Sequence, residues 1–532
     1  MTISSLVLTL APIIVILVML IGFKKSADIS GIVGWVIISV IAVLFFQTSL
    51  EVILRATGAG LIRSFSVSLI VAASLLQMAF MEKTGALKRI IIFIKTISSD
   101  NKAVQIMMIN IGFGTLMVAV GATPVSLLPP ILIAMGYSTY VAIALPAIGY
   151  DSLCTYALLG APIVVFVDIA NSFLGKGNEI SLRQAGMIFF MFLPVVSTMI
   201  GFCMLWIVGK WQAVREGWLP CLTTGVVVGV VSYFTNQFDN LVVLTGVLCG
   251  IAVIITMAVY LKATGRKIID RSRLTEAEVA YEKQFELWRA LTPWIFLVVI
   301  ILALNIPKDV FNLLYRTLKL PIMGLTPDGK PLDTRALWQA YTWIFVSTLL
   351  SVPFLKPNRT QLKDTVKIWL KRAYRPVFAA AIFFAIGEVM NMSGYNMAAQ
   401  KFNVPSMVET LAGYSAQFFQ NAYGGVVSFI GLFGGFITGS EASAIAMFAK
   451  YSLSTAKNLG LPLAGLIIIT AGLAFGGGLA SVISPAKLQN AAASIDKIGE
   501  ENKVIRIAFV FSLILTVITS IFVVVLLKAN GM

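Results

Sequence analysis

The chain has 532 residues, of which 58% are hydrophobic and only 12% charged, with a formal net charge of +16 and no histidine. A soluble chain is about 45–50% apolar and about 25% charged, so a water-soluble globule, a disordered protein and a fibre are disfavoured, and an all-α polytopic membrane protein is expected. The absence of histidine removes His-based proton relays, Ser-His and Cys-His catalysis, haem-His ligation and zinc-His sites together.

In chain order, stretches of about twenty apolar residues, enough to span a bilayer as a helix, run near 4–23, 29–48, 62–81, 103–122, 182–208, 218–235, 240–261, 290–306, 336–355, 376–397, 461–480 and 506–528. Further stretches are apolar but interrupted by Gly and Pro, which brings the expectation to roughly 12–14 membrane segments. The first is read as a retained span and not as a secretory leader, because nothing basic precedes it and Lys24-Lys25 follow it. The basic residues fall in short gaps between apolar runs, above all 262–289 and 356–375. That is the positive-inside pattern of cytoplasmic loops, not a nucleic-acid patch. The 307–335 loop is then external, and the chain is expected in the cell (plasma or inner) membrane. The mixed 262–289 loop divides the chain into an N-terminal half, 1–261, and a C-terminal half, 290–532.

The halves echo each other. Ile111-Gly112-Phe113-Gly114 leads into Gly121-Ala122-Thr123-Pro124-Val125-Ser126, and Ile430-Gly431-Leu432-Phe433-Gly434 leads into Thr438-Gly439-Ser440-Glu441-Ala442-Ser443. Each is followed about forty residues on by a second interruption, Leu159-Gly160-Ala161-Pro162 and Ile483-Ser484-Pro485-Ala486. Broken or re-entrant segments are thus expected near 112–136, 146–162, 430–448 and 476–490, as two inverted-topology repeats. Paired Gly/Pro-broken segments are the best sequence pointer to a secondary transporter's binding site. Close helix packing through small residues is the alternative, and it explains the Thr-Pro, Ser-Pro and hydroxyl-rich runs less well. A helix broken in hydrocarbon offers N–H groups and partial positive charge at one half-helix, suited to an anion, and carbonyls at the other, suited to a cation.

Ionisable residues inside spans are costly and are functional candidates by default. Asp151, Glu388 and Glu441 are candidates for the coupling ion. Lys487 either neutralises an anionic substrate or pairs with Glu441. Arg55 and Arg63 are read as interfacial, with side chains reaching the headgroups. No P-loop pattern is present, and Gly476-Gly477-Gly478 lies inside an apolar run, so an ATP-driven pump and a membrane enzyme are disfavoured. The cysteines Cys154, Cys203, Cys221 and Cys249 have no CxxC spacing and read as small buried hydrophobes. No metal and no cofactor is expected.

At these breaks the chain resembles the L-lactate permease family of bacterial and archaeal transporters. The most specific match is Phe436-Ile437-Thr438-Gly439-Ser440 with Ser443, Ala446, Phe448 and Lys457-Asn458-Leu459-Gly460, joined by Gly477-Gly478, Ile483-Ser484-Pro485 and Ala491-Ala492-Ala493. The resemblance implies symport of a short 2-hydroxy monocarboxylate, lactate or glycolate, with protons. The chain departs from the family pattern in having no acid over 117–122, no Asn following Ser443 although Glu441 stands where relatives have an acid or Thr, and Lys487 after the Ser-Pro break. A Na⁺-coupled carrier of another carboxylate or a sulfonate, or a passive anion channel, therefore remains the alternative. Substrate is expected at Thr123, Pro124, Ser126, Thr438, Gly439, Ser440, Ser443, Ser484, Pro485 and Lys487. Analogy with transporter classes that carry two re-entrant hairpins implies an elevator-type motion and a homodimer. The expected partners are the small organic anion and the lipid bilayer, without nucleic acid.

Overall fold

The computed structural model describes residues 3–23, 25–97, 101–122, 124–175, 177–272, 274–497 and 499–532. Among these, eleven helices are long and apolar enough to cross a membrane, or twelve if the pair Thr292–Asn305 and Lys308–Thr317, bent by 90°, is one span. The strands are two short antiparallel pairs of two residues each. The chain is an all-α, multi-pass protein of the cell membrane. The count falls at the low edge of the expectation because some apolar segments, such as Thr139–Gly149 and Ala340–Leu355, are shorter than a full crossing. The stretches expected at 182–208 and 218–235 belong instead to a short capped helix, Leu182–Phe189, and a 45-residue helix, Phe192–Asn236. The latter turns sharply at Gly209 and Lys210, where Lys210 adopts φ 53° and ψ −146°.

Each half contains a helical hairpin followed by a broken span. Hairpin 1 has arms Lys102–Ala119 and Pro124–Ala134. It folds about Gly121, whose φ of +89° is open to glycine and strained for other residues. Tyr137 donates to Gln105 Oε1 across its open end (2.8 Å). Hairpin 2 has arms Tyr423–Thr438 and Glu441–Asn458 and folds about Gly439, at φ +69°. Broken span 1 runs through Thr139–Gly149, a tight turn at Tyr150–Tyr156, and Ala157–Leu174. Leu158, Leu159 and Gly160 form a left-handed run (φ 52°, 54° and 74°), a conformation that costs L-residues about 1–2 kcal/mol each. Broken span 2 runs through Leu463–Ala480, Ser481–Ile483 and Pro485–Ala493.

The halves exchange partners. Ala157–Leu174 of the first half packs on the Glu441–Asn458 arm of hairpin 2. Pro485–Ala493 of the second half packs on the Pro124–Ala134 arm of hairpin 1 and on Thr139–Gly149. Hairpin 2 is fixed to broken span 2 by backbone contact. A Cβ at Gly431 would overlap Leu473 O, one at Gly435 would overlap Gly477 O, and one at Gly476 would overlap Ser428 O. For Gly476-Gly477-Gly478, close helix packing through small residues is what the structure shows.

Ion pairs tie the basic loops to one end of the bundle. Glu82, at the end of Phe65–Lys83, pairs with Arg372 (2.6 Å), and Arg89 on Ala86–Thr96 pairs with Glu282 (3.0 Å). At the opposite end Arg335 grips Asp168 through two bonds, 2.8 and 3.0 Å, and Arg316 pairs with Asp239 at 3.0 Å. The 262–289 linker is therefore docked: its helix Glu276–Gln284 lies along Ala86–Thr96, where Lys95 pairs with Glu278. Burial alone would raise the Glu278 pKa, but hydrogen bonds from Lys95 and Thr275 and the Lys95 charge bring it below the ordinary glutamate value. A carboxylate with a depressed folded-state pKa contributes stability above its unfolded pKa and loses it as pH falls through the folded one. The linker should therefore resist protease across neutral pH and become cleavable only under acid below the usual glutamate range. Limited proteolysis of the purified protein over a pH series reads this directly.

Candidate functional site

The tip of hairpin 2 and the two breaks meet between the halves. Hairpin 1 reaches them through Thr115, beside Ser152, and through Pro124–Ala134, which packs on Pro485–Ala493. Its own tip at Gly121 faces Ser74 and Ile344. Ser440 holds an extended conformation (φ −152°, ψ 132°) at the start of the Glu441–Asn458 arm. Thr438 Oγ1 lies 2.9 Å from both Gly434 O and Ser440 O, which locks the turn. A Cβ at Gly439 would stand 3.3 Å from Ser484 Oγ, so the hairpin 2 tip touches the start of Pro485–Ala493. Ser484 O accepts from Lys487 N (3.1 Å) and Leu488 N (3.2 Å), the first turn of that helix. The Gly439–Ser484 approach brings the N-terminal ends of two helices, the Glu441–Asn458 arm of hairpin 2 and Pro485–Ala493 of broken span 2, close together. The first four N–H groups of each have no partner within the helix, and the helix dipole favours negative charge there.

Glu441 opens the hairpin 2 arm and is only 2% exposed. Its Oε1 accepts from Thr155 Oγ1 at 2.6 Å, a contact between residues 286 positions apart that joins the second half to the break of the first. A Cβ at Gly478 would sit 2.7 Å from Glu441 Oε2 and 3.3 Å from Cys154 Cβ, so glycine there makes room for the carboxylate. Around this contact lie further hydroxyls. Ser152 Oγ is 3.1 Å from Thr115 Oγ1, and Ser152 O accepts from Ser197 Oγ at 3.1 Å. Asn110, on the widened turn Met107–Phe113 of hairpin 1, is buried, and its Oδ1 has no hydrogen-bond donor among the described residues. Ser443 is buried two residues into the arm.

The structure thus brings Thr438, Gly439, Ser440, Glu441 and Ser484 together, places buried Ser443 one turn further, and sets half-buried Lys487 in the first turn after the Ser-Pro break. Pro124 begins its helix, where a residue without an N–H loses nothing. Thr123 lies outside the described residues, and so do the side chains of Ser126, Asp151 and Pro485. Glu388 is elsewhere. It sits near the end of Arg359–Met392 and pairs with Arg63 at 3.3 Å. Arg63 is thus an ion-pair partner and not a side chain reaching for headgroups, because Gly60 lets its helix approach Arg359–Met392 to backbone contact. Thr155, Ser152 and Thr115 escape the sequence reading, since isolated Ser and Thr in apolar runs carry no positional signal and only the fold collects them. Among the described residues no group of three His, Cys, Asp or Glu side chains is placed to hold a metal.

The family profile described as L-lactate permease matches residues 5–529. The chain belongs to the L-lactate permease family. It is 22% identical to the L-lactate permease of Escherichia coli (strain K12), over 97% of this chain and 95% of that protein. The glycolate permease GlcA of the same strain is 21% identical over 96% and 93%, and the Bacillus subtilis (strain 168) L-lactate permease is 23% identical over 91% and 88%. Among solved structures, Neisseria gonorrhoeae MtrF aligns at 13% identity and a TM-score of 0.42, over 86% of this chain and 80% of that one.

Proposed function

We propose that this chain is a secondary active carrier of short 2-hydroxy monocarboxylates, L-lactate and glycolate, that moves them with protons. The observation that carries the reading is the meeting of Gly439 and Ser484 beside the Glu441–Thr155 contact. It joins helix N-termini suited to a carboxylate to a buried acid suited to a proton. The names of the family relatives support the choice of anion. Ser440, Ser443, Ser484 and the N–H groups of the two helix starts hold the carboxylate and its hydroxyl, with Thr123, Pro124 and Ser126 as further substrate contacts and Lys487 adding charge. With no histidine in the chain, proton carriage falls to carboxylates: Glu441 first, then Asp151 and Glu388. The two halves act as inverted repeats around this site, with 262–289 as the connection between them.

Uptake by proteoliposomes tests this. Labelled L-lactate, glycolate, pyruvate, acetate and a small sulfonate are offered with an imposed proton or sodium gradient. The expected result is accumulation of lactate and glycolate driven by the proton gradient and abolished by an uncoupler. Accumulation that follows sodium alone, or preference for the sulfonate, overturns the proton-lactate reading. Equilibration without accumulation shows a channel.

A further inference from the structure

The helix Arg359–Met392 has 34 residues, about 51 Å at the usual rise of 1.5 Å per residue, while the hydrocarbon core of a bilayer is about 30 Å thick. About fourteen of its residues must therefore lie outside that core. Its far end is held on the external side, where Gly394 N donates to Thr48 Oγ1 (2.9 Å) and nearby Arg55 donates to Gly324 O (2.6 Å) in the 307–335 loop. The surplus is thus at the start of the helix, where the basic loops gather. There Gln361 Nε2 donates to Lys83 O (2.9 Å) and Arg372 pairs with Glu82.

Positions four apart on a helix form ridges, and over 359–375 each ridge has its own chemistry. Thr365, Trp369 and Ala373 face the protein: Thr365 and Ala373 are buried, and Trp369 Nε1 donates to Ala72 O (2.8 Å). The next ridge, Leu362, Val366, Leu370 and Tyr374, is apolar and between 40% and 57% exposed. The ridge beside it, Arg359, Lys363, Lys367, Lys371 and Arg375, is basic and exposed throughout. Arg375 reaches Asp28 at 4.0 Å and lies against the Tyr374 ring. Among the described residues none of Arg359, Lys363, Lys367 and Lys371 has a carboxylate at ion-pair distance. Seven cations over 356–375 face three acids: Asp364 on the helix itself, Glu82, which Arg372 engages, and Asp28. Positive charge is left in excess.

A helix face turned to water carries polar residues on all its outward ridges. Here one outward ridge is apolar and its neighbour is cationic. An anionic phospholipid fits both, with a phosphate for the ammonium groups and acyl chain for the apolar ridge. Clusters of four to eight Lys and Arg on an amphipathic helix at the cytoplasmic surface attract such lipids. We propose that the outward face of 359–375 is a docking surface for anionic phospholipid of the cytoplasmic leaflet, with Lys363, Lys367 and Lys371 on the headgroup phosphates and Leu362, Val366 and Leu370 against the acyl chains. Lipid docking here does not depend on which anion the chamber at the breaks carries.

The test uses full-length protein in dodecyl maltoside, where insertion topology plays no part. The protein is incubated with equal amounts of phosphatidylglycerol and phosphatidylcholine and repurified, and the retained lipids are counted by mass spectrometry. The parent should retain phosphatidylglycerol several-fold over phosphatidylcholine, and raising the salt should reduce the preference. Combining Lys363→Gln, Lys367→Gln and Lys371→Gln should bring the ratio close to one and leave the Tm in lipid-free detergent unchanged. The control combines Lys262→Gln, Arg266→Gln and Lys267→Gln, three exposed cations of the 262–289 linker, and should keep the preference. A parent without preference, or a ridge variant that keeps it, overturns the proposal. An equal loss in the control assigns the preference to the net charge of the chain and also overturns it. A clear drop in the Tm of the ridge variant shows that these lysines hold the fold and not lipid. Displacement of phosphatidylglycerol by an excess of inorganic phosphate shows a phosphate site without a lipid contribution, and the lipid assignment falls.

Discussion

Glu441→Gln should reduce proton-driven lactate uptake by about 100-fold while leaving the protein folded. The carboxylate is 2% exposed and accepts from Thr155 at 2.6 Å. Gln has the same shape, and its amide oxygen can still accept that bond, so the link between the halves survives. The charge and the capacity to bind a proton at neutral pH are lost. A fall of two orders of magnitude corresponds to about 2.8 kcal/mol, of the size expected when a buried ionisable group that the mechanism needs is made permanently neutral. Thr155→Ala is the complementary change: it leaves the charge and removes the donor that orients it, and about tenfold loss is expected. Counterflow exchange, which requires no net proton movement, separates the roles. If Glu441 carries the proton, exchange in Glu441→Gln should persist while accumulation is lost. Loss of both would place Glu441 in substrate binding instead.

Gly431→Ala should destabilise the protein by about 3 kcal/mol, at the upper end of the usual cost of overpacking. The new methyl would overlap Leu473 O. Because the obstacle is backbone and not a rotatable side chain, relief requires Tyr423–Thr438 and Leu463–Ala480 to move apart. That motion would also separate Gly435 from Gly477 and draw Glu441 away from Gly478, so uptake should fall with stability. Gly425→Ala is the control on the same helix, since its Cβ would meet only ordinary contacts at 3.9 Å. The apparent Tm in detergent should drop in the first variant and stay within a degree or two of the parent in the second. Equal Tm values would mean that the close crossing of these helices contributes little.

What could be read from the sequence is local in origin. A run of twenty apolar residues is legible wherever it occurs, and so is a Gly or Pro that must break it. The turn at Gly439, the extended Ser440 and the helix start after Ser484 follow from residues within a few positions of each other. The grouping of 262–289 and 356–375 at one end of the bundle follows from their charge. Contacts made across hundreds of residues were not legible. The Thr155–Glu441 bond joins the halves, and nothing near Thr155 distinguishes it from a hydroxyl satisfied by its own helix. Arg63 was misplaced for the same reason: beside a short apolar run a lone arginine looks interfacial, and only the glycine crossings at Gly60 and Gly387 turn it towards Glu388. The docking of Glu276–Gln284 onto Ala86–Thr96 likewise depends on Arg89–Glu282 and Lys95–Glu278 pairs between distant segments.

The placement of substrate at the meeting point of the breaks is tested most directly by accessibility at Ser484. A Ser484→Cys variant that retains uptake is treated with a small membrane-permeant maleimide in proteoliposomes, with and without L-lactate. The parent protein, whose four cysteines are buried, gives the background. The expected result is that lactate and glycolate slow the labelling of Cys at 484 with half-effects at their half-saturating concentrations for uptake, while a non-transported anion does not. Labelling at the same rate with and without saturating lactate, in a variant that still transports it, would contradict a binding site formed by Gly439, Ser440 and Ser484.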